Sequence, residues 1–188
     1  MRGACLGWAA LAVLAVLSWQ ALTVHYNYGG NWTALFRTGG NLQVPPALAS
    51  ENIYRIPNSK GWDGQFYHYV AHDPLLRHGL WKYVDAPRLR YRRILAPAMA
   101  FLLAGGRPQY VDRSYRLALS LFFLAGAYWL GRIAVSQGRS PAWALAFLLL
   151  PAAIVSAERM AVDGALAALC AGFAFYAAGD RRAGAVYA

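Results

Sequence analysis

Seven consecutive residues, Gly61-Trp62-Asp63-Gly64-Gln65-Phe66-Tyr67, put one carboxylate between aromatic side chains on backbone that two glycines loosen. A carboxylate flanked by ring faces suits sugar handling, because it can take the proton of a hydroxyl group. The plainer role is a turn in which Trp62 packs and Asp63 caps a helix running from Gly64. Downstream, Arg88-Leu89-Arg90-Tyr91-Arg92-Arg93 stands directly before an apolar stretch. Guanidinium groups bind phosphate oxygens two at a time. The competing role is attraction to anionic lipid, worth about 1 kcal/mol per residue. A phosphate clamp joined to an apolar groove would hold an isoprenoid phosphate by both ends.

Two further groups carry ionisable residues. His68 and His72 stand four apart, with Asp73 alongside, a spacing that presents two ligands to one divalent metal. Nothing adjacent in sequence completes such a site. The expectation is therefore an interfacial aromatic face of Phe66, Tyr67 and Tyr69 that carries incidental histidines. Glu158-Arg159, followed by Asp163, lies at a turn between apolar blocks. Charge beside a membrane span is costly enough to suggest function, although capping is the plainer role for Asp163.

These residues sit in a chain of 188 residues that is 59% hydrophobic. The apolar residues lie in blocks rather than at the helical or strand period of a soluble core, which marks a membrane protein. The formal charge is +10, but the basic residues gather at block ends and in one loop. That pattern favours lipid head groups and phosphates over nucleic acid. Cys5 and Cys170 both lie in apolar blocks, which indicates no disulfide framework. Asn31-Trp32-Thr33 fits the N-glycosylation pattern, silent in a bacterial setting.

The first apolar block, 4–24, is long enough to cross a hydrocarbon core of about 30 Å. Arg2 precedes it, and Trp19, His25 and Tyr26 mark its far end. Ser18-Trp19-Gln20-Ala21 makes a poor cleavage site, so an uncleaved anchor is preferred to a signal peptide. Residues 26–112 read as one long outer loop, with a helix from Gly64 to Ala71 that Asp73-Pro74 stops. An apolar helix at 94–105 is too short to span and reads as interfacial or re-entrant. Further spans are expected at 114–131, 141–156 and 162–178. Asp112 and Ser140 cap the first two of these, and Pro151 kinks the span at 141–156.

Charge orients this arrangement. If 94–105 does not cross, Arg2, the Arg132/Arg139 pair and the Arg181/Arg182 pair fall on the cytoplasmic side. This satisfies the positive-inside rule, from which long loops are exempt. Asp63 and the Glu158 turn then share the outer face. The expected fold is all-α: a polytopic transmembrane bundle with a long extracytoplasmic first loop holding short interfacial helices. The run at 183–188 looks like the start of another apolar block, so the chain is suspected to be part of a longer protein.

Gly61 to Tyr67, then Asp73-Pro74, then Tyr91-Arg92-Arg93-Ile94-Leu95-Ala96-Pro97 resemble the N-terminal part of bacterial polytopic proteins of the GT-C glycosyltransferase type, linked to cell-surface glycopolymer formation. The resemblance extends over about 5–178 and includes Asn31-Trp32-Thr33-Ala34-Leu35-Phe36. It implies a polyprenyl-phosphate-linked sugar donor, a glycan or lipid acceptor and an active site on the outer face of the bacterial inner membrane. It makes Asp63 the catalytic acid-base residue, and it places Glu158, Arg159 and Asp163 where a second charged motif often follows the third span. That motif is not a close copy, and such enzymes usually have eight or more spans.

Under this reading Asp63 is the general base, and Arg92 and Arg93 hold the departing phosphate. Trp62, Gln65 and Tyr67 contact the sugar, and 94–105 lines the isoprenoid groove. No cofactor is required by the sequence, and a divalent metal, with His68 and His72 as candidates, is compatible with it. The alternative is a non-catalytic membrane subunit for glycopolymer assembly or export, or an inactive fragment.

Overall fold

A computed structural model describes residues 1–179. Arg181 and Arg182, expected on the cytoplasmic side, and the run at 183–188 lie outside the described residues. The chain divides into two compact units. One comprises Met1–Ser18, Ser120–Ala157 and the described residues from Asp163 onward, the other Trp19–Leu119 and Glu158–Val162. The described fold is helical almost throughout. Its strands are the two-residue β1 (Thr38–Gly39) and β2 (Arg55–Ile56), paired in parallel.

The first unit is built from the longest apolar helices. On α1 (Arg2–Tyr28), Cys5, Ala9, Ala12 and Val16 recur at spacings of three and four and are buried, whereas Leu6, Leu11 and Leu14 are exposed. Small residues inward and large apolar residues outward let helix backbones approach closely in apolar surroundings. Gly126 on α5 (Val111–Ser136) shows how closely: an added Cβ would sit 2.4 Å from the Phe147 ring. Among the described residues, two helices are long and apolar enough to cross a membrane, α1 and the continuous stretch Pro108–Ser136 that contains α5.

The third expected span differs from its sequence reading. Residues Pro141–Leu149 form a 3₁₀ helix, followed by α6 (Pro151–Arg159), and the two axes diverge by 66°. Pro151 has no N–H to continue the helical ladder, so the expected kink is a full break. Ser140 caps the 3₁₀ helix by accepting from Ala142 N–H. The fourth, α7 (Asp163–Gly179), is apolar but at the short limit for crossing.

The stretch read as one outer loop with short helices does hold short helices, and it folds around a core of its own. Leu48, Phe66, Tyr69, Val70, Leu80 and Val84 are buried together, flanked by Leu42, Val44, Ile53, Tyr83, Tyr91 and Ile94. Its central element is α2 (Asp63–His72), in which every residue from Gly64 to His72 is buried. Two short helices, α3 (Pro87–Arg92) and α4 (Leu95–Leu103), pack against α2. Helix α4 turns Ala96, Pro97 and Ala100 inward and leaves Leu95, Leu102 and Leu103 exposed.

Asp73 ends α2, as the Asp-Pro pair predicts. Its buried carboxylate accepts from the N–H groups of Arg77, His78 and Leu80, which folds the following loop. The interfacial aromatic face expected on α2 is not there. Tyr67 and Tyr69 are fully buried and Phe66 nearly so, because neighbouring elements surround this helix on all sides.

Candidate functional site

Helix α2 starts at Asp63 because Trp62 is extended and serves as its N-cap residue. Asp63 therefore lies in the first turn, where the helix dipole favours a carboxylate, and does not itself cap. Its side chain is 55% exposed and therefore available to a ligand. Arg90, from α3, holds it through both oxygens: Nη1 lies 2.6 Å from Oδ2, and Nη2 donates to Oδ1 at 2.8 Å. The same guanidinium grips Asp85, with Nε donating to Oδ1 and Nη2 to Oδ2, each at 2.9 Å.

Arg90 is buried and lies over the Phe66 and Tyr67 rings, with its central carbon 5.2 and 5.3 Å from their centroids. The hydrogen bonds from Arg90 hold the Asp85 carboxyl below the usual carboxylate range. One buried cation thus fixes two carboxylates, and Asp63 has a defined orientation before any ligand arrives.

The turn after α6 is brought to this site. The Arg159 guanidinium lies over the Trp62 ring, 3.5 Å from its centroid. Arg37 Nε donates to the Glu158 carbonyl at 3.4 Å, and Tyr115 Oη donates to the Met160 carbonyl at 3.0 Å. Met160 is fully buried with a φ of 49°, so this corner is a fitted plug rather than a surface turn. Gly64 makes the fit possible. A Cβ there would stand 2.0 Å from the Arg159 carbonyl oxygen. Asp163, one residue beyond this turn, opens α7 in the other unit.

Several expected ligand contacts are corrected by burial. Gln65 is enclosed, accepts from Gly39 N–H at 3.1 Å and donates to the Lys60 carbonyl at 2.8 Å. It ties the segment before α2 to β1 and has no free group for a substrate. Tyr67 has no exposed ring face for a sugar. Trp62 keeps an exposed ring, but Arg159 covers one face of it. Arg92 and Arg93, at the end of α3, are exposed, while Arg90 is the residue that turns inward to Asp63. Asn31 caps the 3₁₀ helix Trp32–Phe36 through Thr33 N–H and donates to the Asn52 carbonyl at 2.8 Å.

One cavity borders the arginine helix, and another lies against the segment that precedes it. The first, of about 780 Å³, is apolar and lies among Leu76, Trp81, Pro87, Arg88, Leu89 and Tyr91. The other, about 470 Å³, is lined in part by Gln43, Lys82, Tyr83 and Asp85. The larger of these two cavities is apolar and takes Pro87, Arg88, Leu89 and Tyr91 of α3 into its wall.

The histidine pair has partners that sequence proximity did not reveal. Glu51, from the loop before β2, and Asp112, from the first turn of α5, converge on His68 and His72. One ligand atom from each of the four lies within 4.8 Å of the others. His68 Nε2 is 2.7 Å from Asp112 Oδ1 and 3.5 Å from Glu51 Oε2. His72 Nε2 is 3.5 Å from Glu51 Oε1 and 3.7 Å from Asp112 Oδ1. Phe36 stacks on the His68 ring at 4.1 Å and fixes its plane. Burial pushes the Glu51 carboxyl up to about 7. The group has the donors to hold a metal ion. The histidines are thus core residues that face two acids, not incidental surface groups.

No protein-family model matches this chain, and no curated protein or solved structure matches it.

Proposed function

We propose that this protein is a membrane glycosyltransferase of the inverting type. It would use a polyprenyl-phosphate-linked sugar and work on the extracytoplasmic face of a bacterial inner membrane, with the N-terminus cytoplasmic. The observation that carries the reading is the exposed Asp63 carboxylate, oriented by buried Arg90 on a helix that borders an apolar groove. The resemblance of the segments around Asp63 and Arg92 to GT-C proteins gives it a reaction class.

Asp63 removes the acceptor hydroxyl proton as that oxygen bonds to the anomeric carbon. The bond from that carbon to phosphate oxygen breaks, and its electron pair leaves with the phosphate. General-base assistance of this kind contributes about 10²–10⁴-fold. Arg90 acts as a positioning residue, because its N–H edges are committed to Asp63 and Asp85. Arg88, Arg92 and Arg93 are exposed and stabilise charge on the leaving phosphate oxygen. The groove lined by Leu76, Trp81 and Leu89 takes the isoprenoid tail, with Arg88 on its wall.

The test is transfer of radiolabelled sugar from a polyprenyl-phosphate donor in membranes containing the protein. Asp63→Asn, which keeps the shape and a hydrogen-bond partner for Arg90, is expected to lower transfer at least 10²-fold at unchanged protein level. Retained transfer removes Asp63 from the mechanism. A second reading draws on the same ion pair: Asp63 and Asp85 anchor α3 in a non-catalytic subunit for glycopolymer assembly or export. In that case wild-type membranes show no transfer above background, and Asp63→Asn lowers thermal stability.

A further inference from the structure

We infer that Glu51, His68, His72 and Asp112 form a closed four-ligand centre for a divalent transition metal of the zinc type. Its role is to fasten the loop before β2 and the start of α5 to helix α2. The inference is independent of glycosyl transfer and rests on the geometry of these four side chains.

A tetrahedral site with metal–ligand bonds of about 2.0–2.1 Å requires ligand atoms about 3.4 Å apart. Three acid–histidine separations, 3.5, 3.5 and 3.7 Å, are close to that edge, the first two made by different oxygens of Glu51, and one ligand atom from each residue lies within 4.8 Å of the others, so a short inward shift closes the site on an ion. The fourth, 2.7 Å between His68 and Asp112, is a hydrogen bond that lengthens when a metal replaces its proton. The polar atoms are otherwise poorly served. His72 Nε2 and Glu51 Oε2 are buried and make no hydrogen bond, and the His72 side chain is only 3% exposed. Leaving such groups unsatisfied costs about 1–3 kcal/mol each, a cost that coordination removes.

The donor set selects the ion. Magnesium and calcium take oxygen ligands, whereas two imidazole nitrogens with two carboxylates suit zinc and its neighbours. Four protein ligands leave no open position for substrate, which is the mark of a structural centre. Glu51 and Asp112 are partly exposed, so an ion has a way in. Helix geometry also separates the two sites. At about 100° per residue, His68 and His72 point about 140° and 180° away from Asp63 around α2.

The test uses the full chain purified in detergent, stripped with chelator, and titrated with zinc and, separately, cobalt. One equivalent of zinc per chain is expected, with a raised thermal midpoint. Cobalt should give the intense visible bands of a four-coordinate ion. His72→Ala and the near-isosteric Glu51→Gln should weaken uptake by more than the about 10–100-fold that loss of an outer-shell partner costs. His78→Ala, which removes an exposed histidine outside the cluster, should leave uptake unchanged. Zinc uptake well below one equivalent, uptake unchanged in Glu51→Gln, or displacement of zinc by millimolar magnesium would overturn the proposal. Because Glu51 lies in a loop and its replacement keeps the shape, this variant reads the site even if His72→Ala fails to fold.

Discussion

Arg90 meets Asp63 in a two-point fork, Nη1 to Oδ2 and Nη2 to Oδ1, from a helix that begins only at Pro87. A helix of so few residues has little intrinsic stability, and its orientation comes from this ion pair and from the second grip on Asp85.

Arg90→Met should therefore release α3. The expected loss is about 2–3 kcal/mol, in the range of charge-assisted hydrogen bonds. It is smaller than the about 3–5 kcal/mol of a fully buried pair, because both aspartates keep contact with water. Arg90→Lys restores the charge but not the fork and should recover only part of the loss. Thermal unfolding in detergent, with the two variants side by side, measures both.

A methyl group at position 64 attacks a different joint. Gly64→Ala places carbon against the Arg159 carbonyl and should cost at least about 1–3 kcal/mol, the range for overpacking. Gly7→Ala on α1, where the added carbon meets nothing, should be neutral or stabilising by up to about 1 kcal/mol. Equal effects in the two variants would show that the Glu158–Val162 segment is not seated on α2.

Acid should loosen the same region through Asp85. Its carboxyl is held below the ordinary value by the hydrogen bonds from Arg90. A depressed value means that the folded state binds protons less readily than the unfolded state. The contribution is complete above the usual aspartate value of about 3.9 and is lost as pH falls through the lowered one. The thermal midpoint of the wild type should drop across that window, and Asp85→Asn should flatten the drop. The pair is partly exposed, so the effect is modest and weakens with salt.

Local signals in the sequence were the reliable ones. The start of α2 near Gly64, its stop at Asp73-Pro74, the Ser140 cap and a disturbance at Pro151, though not its extent, all follow from residue types over a few positions. Phase around a short helix was not legible. Arg90 and Arg92 differ by two residues and point to different surroundings, but nothing in a six-residue helix of mixed arginine and apolar residues says which turns inward. The aromatic run Phe66-Tyr67-His68-Tyr69 looked interfacial because the surrounding segment is polar. That segment instead folds over α2 with core residues as distant as Leu48 and Val84. Glu51 and Asp112 could not be attached to the histidine pair by spacing, since one sits in an irregular loop and the other reads as a helix cap. Only the tertiary fold brings them together.

Translation runs from the N-terminus, so residues 19–119 are made well before the Glu158–Val162 plug that belongs to the same unit. Until the ribosome has added the intervening helices, Trp62 stands without Arg159 and the slot for Met160 is open. A nascent chain arrested between 120 and 157 is expected to lack the contacts that the Glu158–Val162 segment makes in the finished unit. Pulse-labelled chains of increasing length should gain protease resistance around position 62 in one step, after residue 162 has cleared the exit tunnel.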